Sequence, residues 1–303
     1  MMSASGVIVP AVTPIGESGR PDLAAGLRYF GALAAAGITK IMLLGTNGEG
    51  PLHQTAEIGA FLGDAIDHWR RLVPDGAVIV NVSAAGTRES LSRAEIAAEA
   101  GCDAVALSPP CYFHHDERDI IEHYRATSTA AVPVIAYNIP RYAPPFSKGS
   151  IAAVADMEHI VGVKDSSGET DILRQWLEVK SDRPDFGVNQ GAEGTMLGAL
   201  AAGADGITPG IANIAPRVAL ELVAAYRAGD QERAALAQKR VIRLLGVHRI
   251  RAGVPVVKAT LAMRGLCRAA VAPPLRTLDD GELAALREFL TGIEPELIGA
   301  ADG

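Results

Sequence analysis

The sequence predicts an α/β fold, a (β/α)8 barrel followed by a C-terminal helical extension. Three observations lead there. Short apolar, β-branched runs alternate with helical stretches eight times between Val7 and Thr208, the pattern of parallel strands joined by right-handed crossovers. Eight such repeats are the number that closes a barrel. Beyond Pro216 the alternation stops and only helical periodicity remains. An open, doubly wound sheet is the competing arrangement, but no GxGxxG follows the first strand, which weakens a dinucleotide-binding reading.

The elements follow in order. Val7 to Pro14 is short, apolar and closed by prolines, and reads as the first strand. Asp22 caps a helix that runs to Ala36 and stops at Gly37. Ile38 to Leu44 is the second strand and ends in the polar turn Gly45-Thr46-Asn47-Gly48-Glu49-Gly50. Thr55 opens a helix with Phe61, Leu62, Ile66 and Trp69 at three- and four-residue spacing. Ala77–Val82 is strand three, and Thr87 caps a helix ending at Gly101. Ala104–Leu107 is strand four, followed by Pro109-Pro110-Cys111-Tyr112 and a helix capped by Asp116. Val132–Tyr137 is strand five, then Asn138-Ile139-Pro140-Arg141 and a helix capped by Ser147. Ile160 to Val163 leads into Lys164 as strand six, with a helix over 169–179 behind it. Phe186–Asn189 is strand seven, Ala192–Ala202 a helix, and Gly206–Thr208 a short strand eight. Helical segments over 217–228, 231–245, 254–264 and 280–290 complete the chain. The domain division is therefore a barrel over 1–215 and a helical domain over 216–303.

Bulk properties narrow the function. The chain has 303 residues, a hydrophobic fraction of 49% and a net charge of −7, with no basic block. Nucleic acid and acidic membrane surfaces are excluded as expected partners. The first residues lack a basic region followed by an apolar core, and no uncharged apolar run reaches the length of a membrane span; the expected location is the cytoplasm. The three cysteines, Cys102, Cys111 and Cys267, form no CxxC pair and read as reduced thiols. His114-His115-Asp116-Glu117 has ligand-type residues without an i, i+4 histidine pair, so it reads as a solvated helix start and no metal is expected.

In a barrel of this kind the active site lies at the C-terminal ends of the strands. Pooling the residues there collects Thr46 and Asn47, Tyr112, Tyr137 with Arg141, Lys164 with Ser167, and Thr208. Lys164 is the focus, because it ends an apolar run and opens the turn Asp165-Ser166-Ser167-Gly168. Burial disfavours a charged ammonium, and a neutral amine can form a Schiff base with a ketone. Tyr137, one strand earlier, is placed to move the proton that carbinolamine dehydration requires, with a relay through the Thr46 hydroxyl. Gly45 to Gly48 offers backbone N–H groups as a carboxylate nest, with glycines that permit positive φ and close approach. Each residue also has a plainer reading. Lys164 can snorkel to water, Tyr137 can be a core tyrosine, and Tyr112 after two prolines can be packing or interface. Their joint placement on one rim favours chemistry.

Three motifs together, Gly45-Thr46-Asn47-Gly48-Glu49, Tyr137-Asn138-Ile139-Pro140 and Gly162-Val163-Lys164-Asp165-Ser166-Ser167-Gly168, resemble the dihydrodipicolinate synthase / N-acetylneuraminate lyase family over roughly residues 7 to 290. Pro255-Val256-Val257-Lys258-Ala259 is similar to the family's helical tail. The resemblance implies a TIM barrel with a three-helix C-terminal domain, usually a tetramer built as a dimer of dimers. It also implies a class I aldolase or lyase that needs no cofactor, with a pyruvate or other 2-oxo acid substrate held as a Schiff base on Lys164. Tyr137 then matches the proton-transfer tyrosine and Thr46 its relay hydroxyl. Tyr112 matches the tyrosine that reaches across the tight dimer interface. Asn47, Gly48, Arg141, Ser167, Ile207 and Thr208 are the expected substrate-binding positions.

Two departures favour the aldolase branch over 4-hydroxy-tetrahydrodipicolinate synthase, the alternative activity. Asn47 stands where synthases usually carry a second threonine, and Asp165-Ser166-Ser167 follows the lysine where synthases more often have Glu-Ala-Thr. Arg141 also falls one residue early for the synthase arginine, at the position before Tyr142. The alternative from another class is a non-catalytic barrel that senses a 2-oxo acid.

Overall fold

The computed structural model describes residues 5–299. Among the described residues, packing separates two compact units, 7–76 with 209–299, and 77–208 with 5–6. Where one strand is expected over 7–14, two short ones form, β1 (Gly6–Val7) and β2 (Val9–Pro10). Prolines 10 and 14 lack the N–H that a longer ladder needs. Ala11 still donates to the Met42 carbonyl at 2.9 Å. The Asp22 carboxylate accepts from the Ala24 N–H at 2.9 Å, capping a short 3-10 turn before α1 (Leu27–Ala35). β3 (Lys40–Leu43) runs parallel to β2, pairing Val9 with Ile41. α2 (Thr55–Leu72) buries Ile58, Phe61, Leu62, Ile66 and Trp69, the apolar face its spacing predicts.

The unit centred on 77–208 alternates strand and helix without interruption: β4 (Ala77–Asn81), α3 (Thr87–Glu99), β5 (Ala104–Leu107), α4 (Glu117–Ala126), β6 (Val134–Asn138), α5 (Lys148–Ala155), β7 (Ile160–Asp165), α6 (Thr170–Asp182), β8 (Gly187–Gln190), α7 (Met196–Ala202) and β9 (Gly206–Ile207). From β4 to β9 each strand pairs in parallel with the next. Asp116 and Ser147 close capping boxes as expected. Thr87 does not cap: Gly86 holds the cap position, and the Thr87 hydroxyl lies 2.8 Å from His123 Nδ1. Between strands and helices runs an aromatic row, Tyr124, Phe146, Trp176 and Phe186, with successive ring centroids 5.5, 5.3 and 6.0 Å apart.

The remaining helices, α8 (Pro216–Arg227), α9 (Gln231–Leu244), α10 (Val254–Met263) and α11 (Asp280–Thr291), share a unit with β2, β3, α1 and α2. A boundary at 215–216 groups the chain by element type, whereas packing groups it differently. Fully buried Asn213 ties this unit together: its Oδ1 accepts from the Val12 N–H at 3.0 Å and the Tyr29 hydroxyl at 2.5 Å, and its Nδ2 donates to the Pro10 carbonyl at 3.1 Å. A second tie is an ion pair between Glu49 and Lys258. The other Glu49 oxygen accepts from the Ala272 N–H, and Lys258 Nζ donates to the Ala270 carbonyl at 2.9 Å. Burial pushes Glu49 up and Lys258 down, and their mutual attraction opposes both shifts.

Candidate active site

Strand register decides what meets Lys164. β6, β7 and β8 align Tyr137, Lys164 and Asn189 in one cross-strand row, and β8 to β9 continues it to Gly206. Aligned residues of parallel strands share a face, so an amine, a phenol and an amide carry toward one side of the sheet. The Lys164 Nζ lies 4.1 Å from the centroid of the Tyr137 ring, within cation–π range. The two residues are 5% and 4% exposed, so little water competes with a bound substrate there. The Thr208 hydroxyl donates to Asn189 Oδ1, and the Thr208 N–H donates to the Gln190 carbonyl at 2.8 Å. Lys164, Tyr137, Asn189 and Thr208 are thus gathered at neighbouring strand ends, whereas Ile207, expected to bind substrate, falls in the following row.

The next row is Asn138, Asp165, Gln190 and Ile207, facing the other way. Asp165 is fully buried. Its Oδ1 accepts from Asn138 Nδ2 at 2.7 Å and from the Ser167 N–H at 3.2 Å, and its Oδ2 accepts from the Ser167 hydroxyl at 3.0 Å. Burial raises its pKa, and the bonds from Asn138 and Ser167 pull it back. Ser167, expected to bind substrate, spends its proton on Asp165 and accepts from the Glu169 N–H at 3.1 Å, so its hydroxyl shapes the turn into α6.

The other expected residues have the following local settings. Arg141 is exposed, with its guanidinium 5.5 Å over the Tyr142 ring. Tyr112 is 88% exposed at φ +84°, with Phe113 edge-on at 5.0 Å. In the other unit, Thr46 is exposed and Asn47 half-buried in a turn closed by Glu49 N–H to Thr46 O and Gly50 N–H to Gly45 O, both 3.2 Å. Here the glycines serve close approach. A Cβ on Gly48 would lie 2.8 Å from the Leu44 nitrogen, and one on Gly50 would lie 1.8 Å from the Leu44 oxygen. The positive φ angles fall instead on Leu44 and Glu49.

Asn189, Asn138 and Asp165 were not anticipated as site residues. Asn189 carries the same signal as Lys164, a polar residue ending the apolar run Phe186 to Val188. Among the described residues no group of three His, Cys, Asp or Glu is placed to hold a metal, and no helix is long and apolar enough to cross a membrane.

Comparison with known proteins agrees with this architecture. The Dihydrodipicolinate synthetase family matches residues 3–293. An uncharacterized DapA-like lyase of Halobacterium salinarum is 32% identical over 95% of this chain and 93% of its own. The 4-hydroxy-tetrahydrodipicolinate synthase of Acidiphilium cryptum is 31% identical over 95% and 98%. Among solved structures, YagE, an E. coli K12 prophage protein of the dihydrodipicolinic acid synthase family in complex with pyruvate, superposes with a TM-score of 0.89 at 26% identity, covering 96% of this chain and 98% of its own. The dihydrodipicolinate synthase of Bacteroides thetaiotaomicron gives 0.87 at 26% identity over 96% and 100%. These neighbours are TIM barrels, and the fold class is the (β/α)8 barrel that the strand–helix alternation predicts. With a family match across nearly the whole chain, this protein belongs to the dihydrodipicolinate synthetase family of class I aldolases and lyases.

Proposed function

We propose that the chain is a Schiff-base carbon–carbon lyase acting on a 2-oxo acid, with pyruvate as one partner and a small aldehyde, semialdehyde or sugar acid as the other. One observation carries the reading: the buried Lys164 amine packed against the Tyr137 ring on adjacent strands. The Lys164 amine attacks the C2 carbonyl, a C–N bond forms, and an N–H proton passes to the oxygen to give the carbinolamine. The carbinolamine oxygen then leaves as water after gaining a proton, which the Tyr137 phenol supplies. The resulting iminium accepts the electron pair of the C3–C4 bond while a base takes the C4 hydroxyl proton, releasing the aldehyde. The enamine regains a proton at C3, and water returns the amine.

Asn189 and Thr208, joined on the neighbouring strands, are suited to hold the substrate's polar groups beside this amine. We assign Thr46 the relay role and Asn47 and Gly48 the carboxylate-binding role on the motif resemblance. Arg141 would bind a distal carboxylate, as a bidentate partner. Tyr112 would reach a neighbouring copy in a homotetramer, and a cytoplasmic location fits such an enzyme. No cofactor enters the steps.

The relatives named 4-hydroxy-tetrahydrodipicolinate synthase support the condensation of pyruvate with aspartate semialdehyde as a second reading. Asn47 and the Asp165-Ser166-Ser167 run favour cleavage.

Borohydride in the presence of pyruvate is expected to add a reduced adduct to the Lys164 peptide, read by mass spectrometry. Lys164→Ala is expected to lower turnover about 10³-fold or more. An unlabelled Lys164 or an active alanine variant rejects the mechanism. Assaying aspartate semialdehyde condensation beside cleavage of 2-keto-3-deoxy acids and 4-hydroxy-2-oxoglutarate separates the two readings.

A further inference from the structure

The ladder between β6 and β7 changes step partway along. Val134 pairs with Ile160, but Ile135 pairs with Gly162, so Val161 is an extra residue on β7. Had the first step continued, Tyr137 would face Val163, and Asn138 would face Lys164. The observed step instead sets Tyr137 against Lys164 and Asn138 against Asp165. A bulge allows either register nearby, and a one-residue slip reverses which face each side chain takes. Something beyond the bulge must select the register.

We propose that Asn138 and Asp165 are positioning residues, a cross-strand clamp that holds Tyr137 opposite Lys164. The side-chain bond spans the two strands at 2.7 Å, one residue beyond the Tyr137–Lys164 pair. Both residues are buried, at 1% and 0% exposure. Main-chain bonds flank them: the Ser166 N–H donates to the Asn138 carbonyl at 2.8 Å, and the Gly191 N–H to the Asp165 carbonyl at 2.6 Å. The amide has one workable orientation, because turning it would set its oxygen against the Asp165 carboxylate. The carboxylate is the matching choice on the other side. Three donors converge on it, and an asparagine at 165 would present N–H groups to some of them. The clamp reads only in the observed register, since a one-residue slip moves Asn138 away from Asp165.

The inference rests on the Schiff-base reading for its effect on catalysis, and the test separates the two. Asn138→Ala removes the clamp and leaves both Ser167 donors on Asp165, while Asp165→Asn weakens the whole junction. The first readout is the rate constant for pyruvate-dependent borohydride labelling of Lys164, followed to completion. A clamp that sets geometry lowers this constant about tenfold or more while Lys164 still labels fully. A purely structural role lowers the labelled fraction and leaves the constant alone. The second readout uses no oxo acid: competitive labelling with fluorodinitrobenzene reports the intrinsic reactivity of the Lys164 amine. Changed reactivity in Asn138→Ala supports the clamp even if pyruvate gives no adduct in the wild type, an outcome that would count against the Schiff-base reading alone. Wild-type labelling constants with both reagents in both variants overturn the clamp. Should Asp165→Asn not fold, Asn138→Ala alone decides between these outcomes.

Discussion

His123 shows what burial does to one titratable side chain. It is 2% exposed on α4, with Thr87 against its Nδ1, and burial lowers its pKa to about 4, with nearby His115 adding to the shift and a bond to the Ser108 main chain opposing it. The folded value lies below the unfolded one of 6.5, so as pH falls the unfolded chain takes the proton first. Stability from this residue is complete above pH 6.5 and is lost toward pH 4, on the order of 3 kcal/mol across the window. Urea unfolding of His123→Gln should lack that part of the pH slope; an unchanged slope would assign it to other groups. Lys164 is conspicuous in the sequence because a charge ends an apolar run, and the structure shows it buried. Asp165 is not conspicuous there. A carboxylate beside a lysine reads as part of a polar turn, and only the paired strands show it buried under Asn138 and Ser167. Asn189, an amide, carries no charge to mark it in the sequence.

At the level of the element, β7 carries Lys164 and also a tight steric constraint. A Cβ on Gly162 would lie 2.5 Å from the Gly187 carbonyl oxygen of β8, a main-chain atom that cannot swing aside. Gly162→Ala is therefore expected to force the strands apart, lowering unfolding free energy by about 1–3 kcal/mol and slowing Lys164 labelling, because the displaced strand bears the amine. Denaturant titration checks the first effect; wild-type stability would show that the sheet yields easily. The strands and helices were legible because their periodicities of two and 3.6 recur many times. The exceptions have local causes. The first strand breaks into β1 and β2 around prolines, and Thr87 loses its capping role to Gly86 because its hydroxyl finds His123. The bulge at Val161 leaves no mark in a run of aliphatic residues, so the register of Tyr137 and Lys164 could be read only from the pairing.

For the whole molecule, the family was legible because three motifs stand in order with the strands, whereas the aldehyde partner depends on loop side chains such as Arg141 and Tyr142, whose orientation no periodicity sets. Tyr112 poses the assembly question. A bulky residue at φ +84° is strained, costing on the order of 1–3 kcal/mol, and its ring and that of Phe113 are exposed. Sedimentation is expected to find a tetramer, and Tyr112→Phe should lower kcat about tenfold with little change in the unfolding midpoint; an unchanged kcat would return this residue to packing. A different consequence attaches to Glu49. Its carboxylate is buried against Lys258 and the Ala272 N–H, the latter 223 positions later in the chain. On a ribosome adding about 5–20 residues per second, that carboxylate waits roughly 10 to 45 s for its last partner. The segment from 77 to 208, which forms most of a compact unit of its own, leaves the ribosome before that last partner. Biosynthesis therefore exposes the Gly45–Gly50 turn, unfinished, for most of the time the chain is being made, and this is the interval in which a chaperone would find it.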